Sequence, residues 1–189
     1  MAYTPCALNL AANIAQDCSN PPRPGFKGEG VLIDLGNVTP TVVVDAQNPR
    51  LLTSITLGES DHCAVVDNVW RDPFADSQRA LNVENGRPVY DLTLSLRVPL
   101  RSAEAAAEIV EPLAKSTFLG IFPTIDNRFL VYGYYGKFQA SEQTQNEGEN
   151  GGDVVCTMSS QEPYFVTELL DTDYATTKTM YDALVAKAF

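Results

Sequence analysis

The chain has 189 residues, 44% of them hydrophobic and 20% charged, with a formal net charge of -11 and a sequence pI near 4.4. That length and balance suit one domain with a sizeable core and exclude wholesale disorder. The acidity excludes a nucleic-acid grip, which needs clustered Lys and Arg to displace phosphate counterions; it fits a channel wall past which DNA slides, or a surface kept soluble by charge.

No apolar run approaches the roughly 18 residues that span a bilayer. The opening Met1-Ala2-Tyr3-Thr4-Pro5-Cys6 lacks the basic and apolar regions of a signal peptide, so synthesis in a cytoplasm is expected. Residues 1–29 read as an extended N-terminal segment, because Pro21-Pro22-Arg23-Pro24-Gly25 lacks the donors that a central strand needs. Val31 to Leu35 reads as a short apolar strand, Gly36-Asn37 as a turn, and Val38 to Val44 as a return strand with Pro40 at an edge or bulge. After the turn signal Asn48-Pro49, Leu51 to Leu57 and Cys63 to Val66 are further strand candidates.

From Asp67 to Pro88 the pattern dissolves into Asp, Asn, Arg, Gly and Pro around Trp70, Phe74 and Leu81. The span 67–88 reads as a long loop. It is either an arm packed on a neighbouring subunit through those apolar anchors, or a loop folded back on its own domain.

Val89 to Val98 alternates strictly. Tyr90, Leu92, Leu94, Leu96 and Val98 face one way and Asp91, Thr93, Ser95 and Arg97 the other, the signature of a strand with one dry and one wet face. Ser102 to Ser116 reads as a helix with Ser102 as N-cap and a stripe of Ala106, Ile109, Val110 and Leu113. Pro112 should end it near Glu111 or bend it. Phe118 to Phe122 and Arg128 to Tyr135 read as strands joined around Asp126-Asn127, followed by a polar hairpin tip over Glu142 to Asp153 that Val154 to Met158 closes. Pro163 to Leu170 reads as a last extended piece and 174–189 as an amphipathic C-terminal helix.

Chemistry is hard to find. Cys6, Cys18, Cys63 and Cys156 show no paired spacing, so no zinc site is expected; Cys6 and Cys18 could bridge in an oxidising compartment, while reduced, partly buried thiols suit a cytosolic product. Glu59, Asp61, His62, Asp67, Asp72 and Asp76 form the one cluster that could hold a metal or act as acid and base, but surface loops are routinely acidic and the spacing matches no ligand loop. Tyr132, Tyr134 and Tyr135 could stack a sugar, or fill a sheet face or interface. No catalytic, metal or cofactor residue is assigned.

The order of these pieces carries a resemblance. Gly30-Val31-Leu32-Ile33-Asp34-Leu35-Gly36-Asn37-Val38, then far downstream Ile109-Val110-Glu111-Pro112-Leu113-Ala114-Lys115 and Phe118-Leu119-Gly120-Ile121-Phe122, lead to Asp126-Asn127-Arg128-Phe129-Leu130-Val131-Tyr132-Gly133 and, after the polar hairpin, Ser160-Gln161-Glu162-Pro163. This resembles the tail-tube-like virion structural proteins of bacteriophages that infect Bacteroidetes. The resemblance covers most of the chain as pattern, and the prolines at 21, 22, 24 and 112 depart from it.

It implies an α+β fold, mainly an antiparallel β-sandwich or rolled sheet with a flanking helix and a C-terminal helix, in a single domain over 1–189. It also implies a non-enzymatic subunit of hexameric rings that stack into a tube in the virion tail. Its partners would be other copies and other tail proteins, with DNA passing through unbound and no membrane involved. On that footing Trp70, Phe74, Leu81, Tyr132 and Tyr134 are candidate subunit-interface residues, and Asp91, Thr93, Ser95 and Arg97 candidate channel-lining residues. A tail terminator, neck or head-decoration ring protein, or a monomeric ligand-binding β-domain, are the alternative readings.

Overall fold

Apolar runs that are covered on both sides form the middle of the molecule. In chain order the strands are β1 (Gly30–Asp34), β2 (Thr41–Val44), β3 (Leu51–Thr56), β4 (Ala64–Val66), β5 (Phe74–Glu84), β6 (Arg87–Val98), β7 (Phe118–Pro123), β8 (Phe129–Tyr132), β9 (Gln139–Gln145), β10 (Val154–Glu162) and β11 (Thr167–Leu169). Helical turns occupy Ala103–Ala105 (α1), a wider π turn at Ala106–Val110, and Glu111–Lys115 (α2); α3 spans Tyr174–Val185. The computed structural model describes residues 26–27, 29–66, 74–84, 87–99, 102–145 and 153–189, without the side chains of 74–77, 84, 87 and 105.

The strands form a seven-stranded sheet, in the order β2-β3-β11-β8-β7-β1-β4, and a four-stranded sheet, in the order β5-β6-β10-β9. All pairings between these strands are antiparallel except β11 with β3. The fold class is therefore α+β, with mostly antiparallel, curled sheets and a C-terminal helix.

Side-chain alternation explains the layering. From β1, β7 and β8, Leu32, Phe118, Phe122, Leu130 and Tyr132 meet Leu92, Leu94, Leu96, Cys156 and Met158 of the four-stranded sheet. The intervening residues Val31, Ile33, Leu119, Ile121, Phe129 and Val131 point the other way and meet Tyr181 and Leu184 of α3. The order is thus four-stranded sheet, seven-stranded sheet, helix.

Asp173 caps α3 by accepting the Thr176 N–H at 2.8 Å, and Thr177, Tyr181 and Leu184 are its buried stripe. The helix ends at Val185, before the full 174–189 span, and Ala188 instead bridges Cys63.

Several expectations need correction. The span 67–88 is largely strand: β5 and β6 form a long hairpin, with Glu84 opposite Arg87. That register leaves only Asn85-Gly86 between the strands, the residue pair that best suits a two-residue hairpin connection. Residues 67–73, Trp70 among them, lie outside the described residues, as do residues 1–25 with Cys6 and Cys18.

The polar tip expected over Glu142 to Asp153 is strand at its start, because Gln139–Gln145 is β9, too polar to read as a strand; residues 146–152 lie outside the described residues. The strand expected through Tyr135 stops at Tyr132, since Gly133 adopts φ 83 and turns the chain. Pro112 neither ends nor simply interrupts the helix. The hydrogen-bond pattern widens into the π turn before it, and the proline then sits in the first turn of α2, where its missing N–H costs little.

Candidate functional site

The four-stranded sheet presents its wet face to solvent. On β6 that face carries Asp91, Thr93, Ser95 and Arg97, all part-exposed, while Leu92, Leu94 and Leu96 between them are sealed in the core. Thr93 pairs with Gln78 of β5 and Ser159 of β10, and Ser95 pairs with Thr157. Thr157 in turn faces Glu142 on β9.

Hydrogen bonds tie the face together: Asn82 Nδ2 donates to Asp91 Oδ2 at 3.0 Å, Ser95 Oγ and Thr157 Oγ1 lie 3.4 Å apart, and Ser141 Oγ donates to the Thr157 carbonyl at 3.1 Å. The structure therefore brings the four candidate lining residues onto one hydroxyl- and amide-rich surface. The chain's acidity is not concentrated there. Among the described side chains two acids, Asp91 and Glu142, share the face with one cation, Arg97.

Both edges of this sheet, β5 and β9, have one strand neighbour each among the described residues. The β5–β6 hairpin runs past the end of β10, whose last paired residue, Glu162, lies opposite Tyr90. On the overhang Leu81 is 64% and Val83 63% exposed, on the side that faces the core lower down. Arg79, one step below, folds inward: its Nη2 donates to Tyr132 Oη at 2.9 Å, and its guanidinium lies over the rings of Tyr132 and Phe165.

The interface candidates thus separate. Leu81 is exposed on the overhang. Phe74 begins β5. Tyr132 is corrected: at 1% exposure it belongs to the core, where burial raises its phenol pKa and Arg79 partly offsets the rise. Tyr134 is half-buried and leads to a tyrosine row, with Tyr135 4.7 Å from it and Tyr164 5.2 Å from Tyr135 (ring centroids), each pair edge to face at 77°.

The row is held by a device that the sequence did not reveal. Glu162, 1% exposed at the end of β10, accepts the N–H groups of Gly133 at 2.8 Å and Tyr135 at 3.2 Å, together with that of Gly136. Burial pushes its carboxyl above the ordinary value, against those hydrogen bonds and that of Ser160. A side chain at Gly133 would strike the Phe118 carbonyl, and one at Gly136 the Gln161 carbonyl, so the tyrosine loop can lie this close only with glycine at both positions. The Tyr135 hydroxyl donates to the Pro49 carbonyl at 2.5 Å.

The acidic cluster is taken up by local structure. Asp61 Oδ2 accepts the Gly58 N–H at 2.9 Å, and His62 Nδ1 lies 3.3 Å from the Lys187 carbonyl with its ring against Phe189. Asp67 and Asp72 lie outside the described residues, and Asp76 is in β5. Among the described residues no group of three His, Cys, Asp or Glu side chains could hold a metal ion, and no helix is long and apolar enough to cross a membrane.

Compared with known protein families, curated proteins and solved structures, the chain matches none.

Proposed function

We propose that this chain is the subunit of a bacteriophage tail tube, a non-enzymatic virion protein whose hexameric rings stack around a DNA conduit. The observation that carries the reading is the four-stranded sheet, with two long edges, one polar face and one dry face. Its strands alternate in direction and are even in number. Placing β5 of one copy beside β9 of the next therefore makes an antiparallel seam, and repeating that head-to-tail contact closes a ring.

Closure pairs edges that would otherwise template aggregation. The surface left inside is lined by Asp91, Thr93, Ser95 and Arg97 with the hydroxyls of Thr157 and Ser159. It is wet and slightly acidic, without the clustered cations that would hold phosphates. Leu81 and Val83 on the overhang give each copy an apolar contact for its neighbour.

Negative-stain electron microscopy with light scattering on the full chain tests this. Rings or tubes with a central hole are expected; a 20.6 kDa monomer at every concentration, alone and with other tail proteins, overturns the reading. Replacing both Leu81 and Val83 by Asp should abolish assembly and leave the melting temperature of the monomer unchanged, because neither side chain is buried in one copy. Normal rings from that variant would remove the hairpin from the interface.

A further inference from the structure

The two free edges of the four-stranded sheet are of unequal length. β5 has eleven residues and β9 seven. Gln78, Thr93, Ser159 and Gln139 lie side by side on one rung, so β9 begins level with Gln78. Beyond that rung β5 continues, and its residues 80–83 are exposed, Leu81 at 64%. A seam in step would set Gln139 of one copy opposite Gln78 of the next and leave this surplus unmet.

Strands that close into a ring do not stay in step. They tilt by about 35–45° to the axis, and the tilt fixes how far each copy slips along its neighbour. Four strands about 4.8 Å apart span about 19 Å, so a slip of four residues, about 13 Å, tilts them by about 35°. A slip of two gives only about 19°. Odd slips would turn the dry side chains of one copy onto the wet face of the next. A slip of six, at about 46°, sets Leu81 against Gln143, whose amide donates to the Val110 carbonyl. A slip of four sets it against Ala140, which packs on the core between the sheets.

The strand lengths choose the direction. Slipped one way, Gln139 to Thr144 all lie opposite residues of β5. Slipped the other way, all of β9 lies past Phe74, where β5 begins.

We propose that β9 of each copy pairs with β5 of a second copy four residues out of step, Gln139 opposite Asn82 and Ala140 opposite Leu81. This rests on the tube reading and adds to it the register of the seam. On the dry side Leu81 covers Ala140 and carries the core across from one copy to the next. On the wet side the amides of Gln139 and Asn82 meet, and Glu142 comes opposite Ala80, with no acid directly across from it. The stretch of β5 that outruns β9 within one copy is thus the stretch that the neighbour's β9 uses.

The test is disulfide capture in the full chain. Asn82→Cys with Gln139→Cys, and Leu81→Cys with Ala140→Cys, probe adjacent rungs, one of which is the non-hydrogen-bonded kind with the closer side chains. Within one copy positions 82 and 139 lie on opposite edges of the sheet, three strand spacings or about 14 Å apart at the least, beyond disulfide reach, so a link joins two copies. Mild oxidation should give a ladder of linked subunits on a denaturing gel from at least one of these pairs, above that of each single variant. Gln78→Cys with Gln139→Cys, the pair in step, should give none. A ladder from the pair in step, or no ladder from any pair in a sample that shows rings by electron microscopy, overturns the register and leaves the tube reading standing. A ladder from a staggered pair in a sample that never forms rings removes the tube reading and keeps the seam. Neither ladder nor rings removes both.

Discussion

The two sheets are built from different kinds of strand. In the seven-stranded sheet every residue of β7 and β8 is buried, because α3 covers one face and the second sheet the other. In the four-stranded sheet β6 and β10 bury alternate residues, and the rest face water. The first arrangement concentrates transfer free energy in one place. The second leaves a polar face and, among the described residues, two edges with one strand neighbour each, which do nothing for the stability of a single copy. A domain meant to stay alone shortens or charges such edges. Here β5 runs from Phe74 to Glu84, and β9 carries a single charge, Glu142. The seven-stranded sheet is dry on both faces, whereas the four-stranded sheet gives one face to the shared core and the other to water; in the proposed ring it is the second sheet that would meet a neighbour.

The sharpest way to break that comparison is to cut one side chain from the dry layer between the sheets and one from the wet face. Phe122→Ala removes a fully buried ring that touches Phe26 and Tyr132 between the sheets and should cost about 3–5 kcal/mol. Thr93→Ala, on the wet face, should stay within about 0.5 kcal/mol. Urea unfolding of both variants is the measurement, and comparable losses would remove the division of labour.

Glu162→Gln comes next, since Glu162 joins the two sheets through the tyrosine loop. An amide –NH2 in place of one carboxylate oxygen faces backbone donors and should cost about 1–3 kcal/mol. Burial raises the carboxyl's pKa in the fold, so the native chain binds this proton more tightly than the unfolded chain does. The resulting stability is fully present below the ordinary glutamate value and is lost as pH rises through the raised one. The wild type should lose stability across that window and the Gln variant should lack that component. Identical pH dependence in both would mean that Glu162 is not the group responsible.

The dry strands were legible in the sequence because their signals are local. Alternation from Tyr90 to Val98, and the apolar runs at Val31 and Phe118, need no knowledge of partners. The β5–β6 hairpin was misread as a loop, because the polar residues between Asp67 and Glu84 hide the alternation and outweigh the turn pair Asn85-Gly86. β9 was not legible either: Gln139 to Gln145 has the composition of a loop and is a strand because β10 offers it a ladder and Gln143 a place beside the helix. Tyr132 and Tyr134 looked alike in one tyrosine-rich strand, and the turn at Gly133 puts the first in the core between the sheets and leaves the second half-buried against the other core cluster. Glu162 gave no sign, since its donors come from residues 133–136 and meet it only in the fold.

β9 also offers the finest test of the comparison, because besides its ladder to β10 it has a contact with the helical segment. Gln143 Nε2 donates to the Val110 carbonyl at 2.8 Å, at the junction between the π turn and α2. The widened turn that Pro112 accompanies thus supplies a backbone acceptor to the edge strand. Gln143→Ala should cost only about 1 kcal/mol overall, but the loss should fall on one place. Amide exchange should quicken along β9 and leave β7 and β8 unchanged, since those strands open only with the whole fold. Equal quickening across all three would tie the edge to the core. Unchanged exchange in β9 would mean that β10 alone anchors it, and that the helix plays no part in presenting the edge to a neighbouring copy.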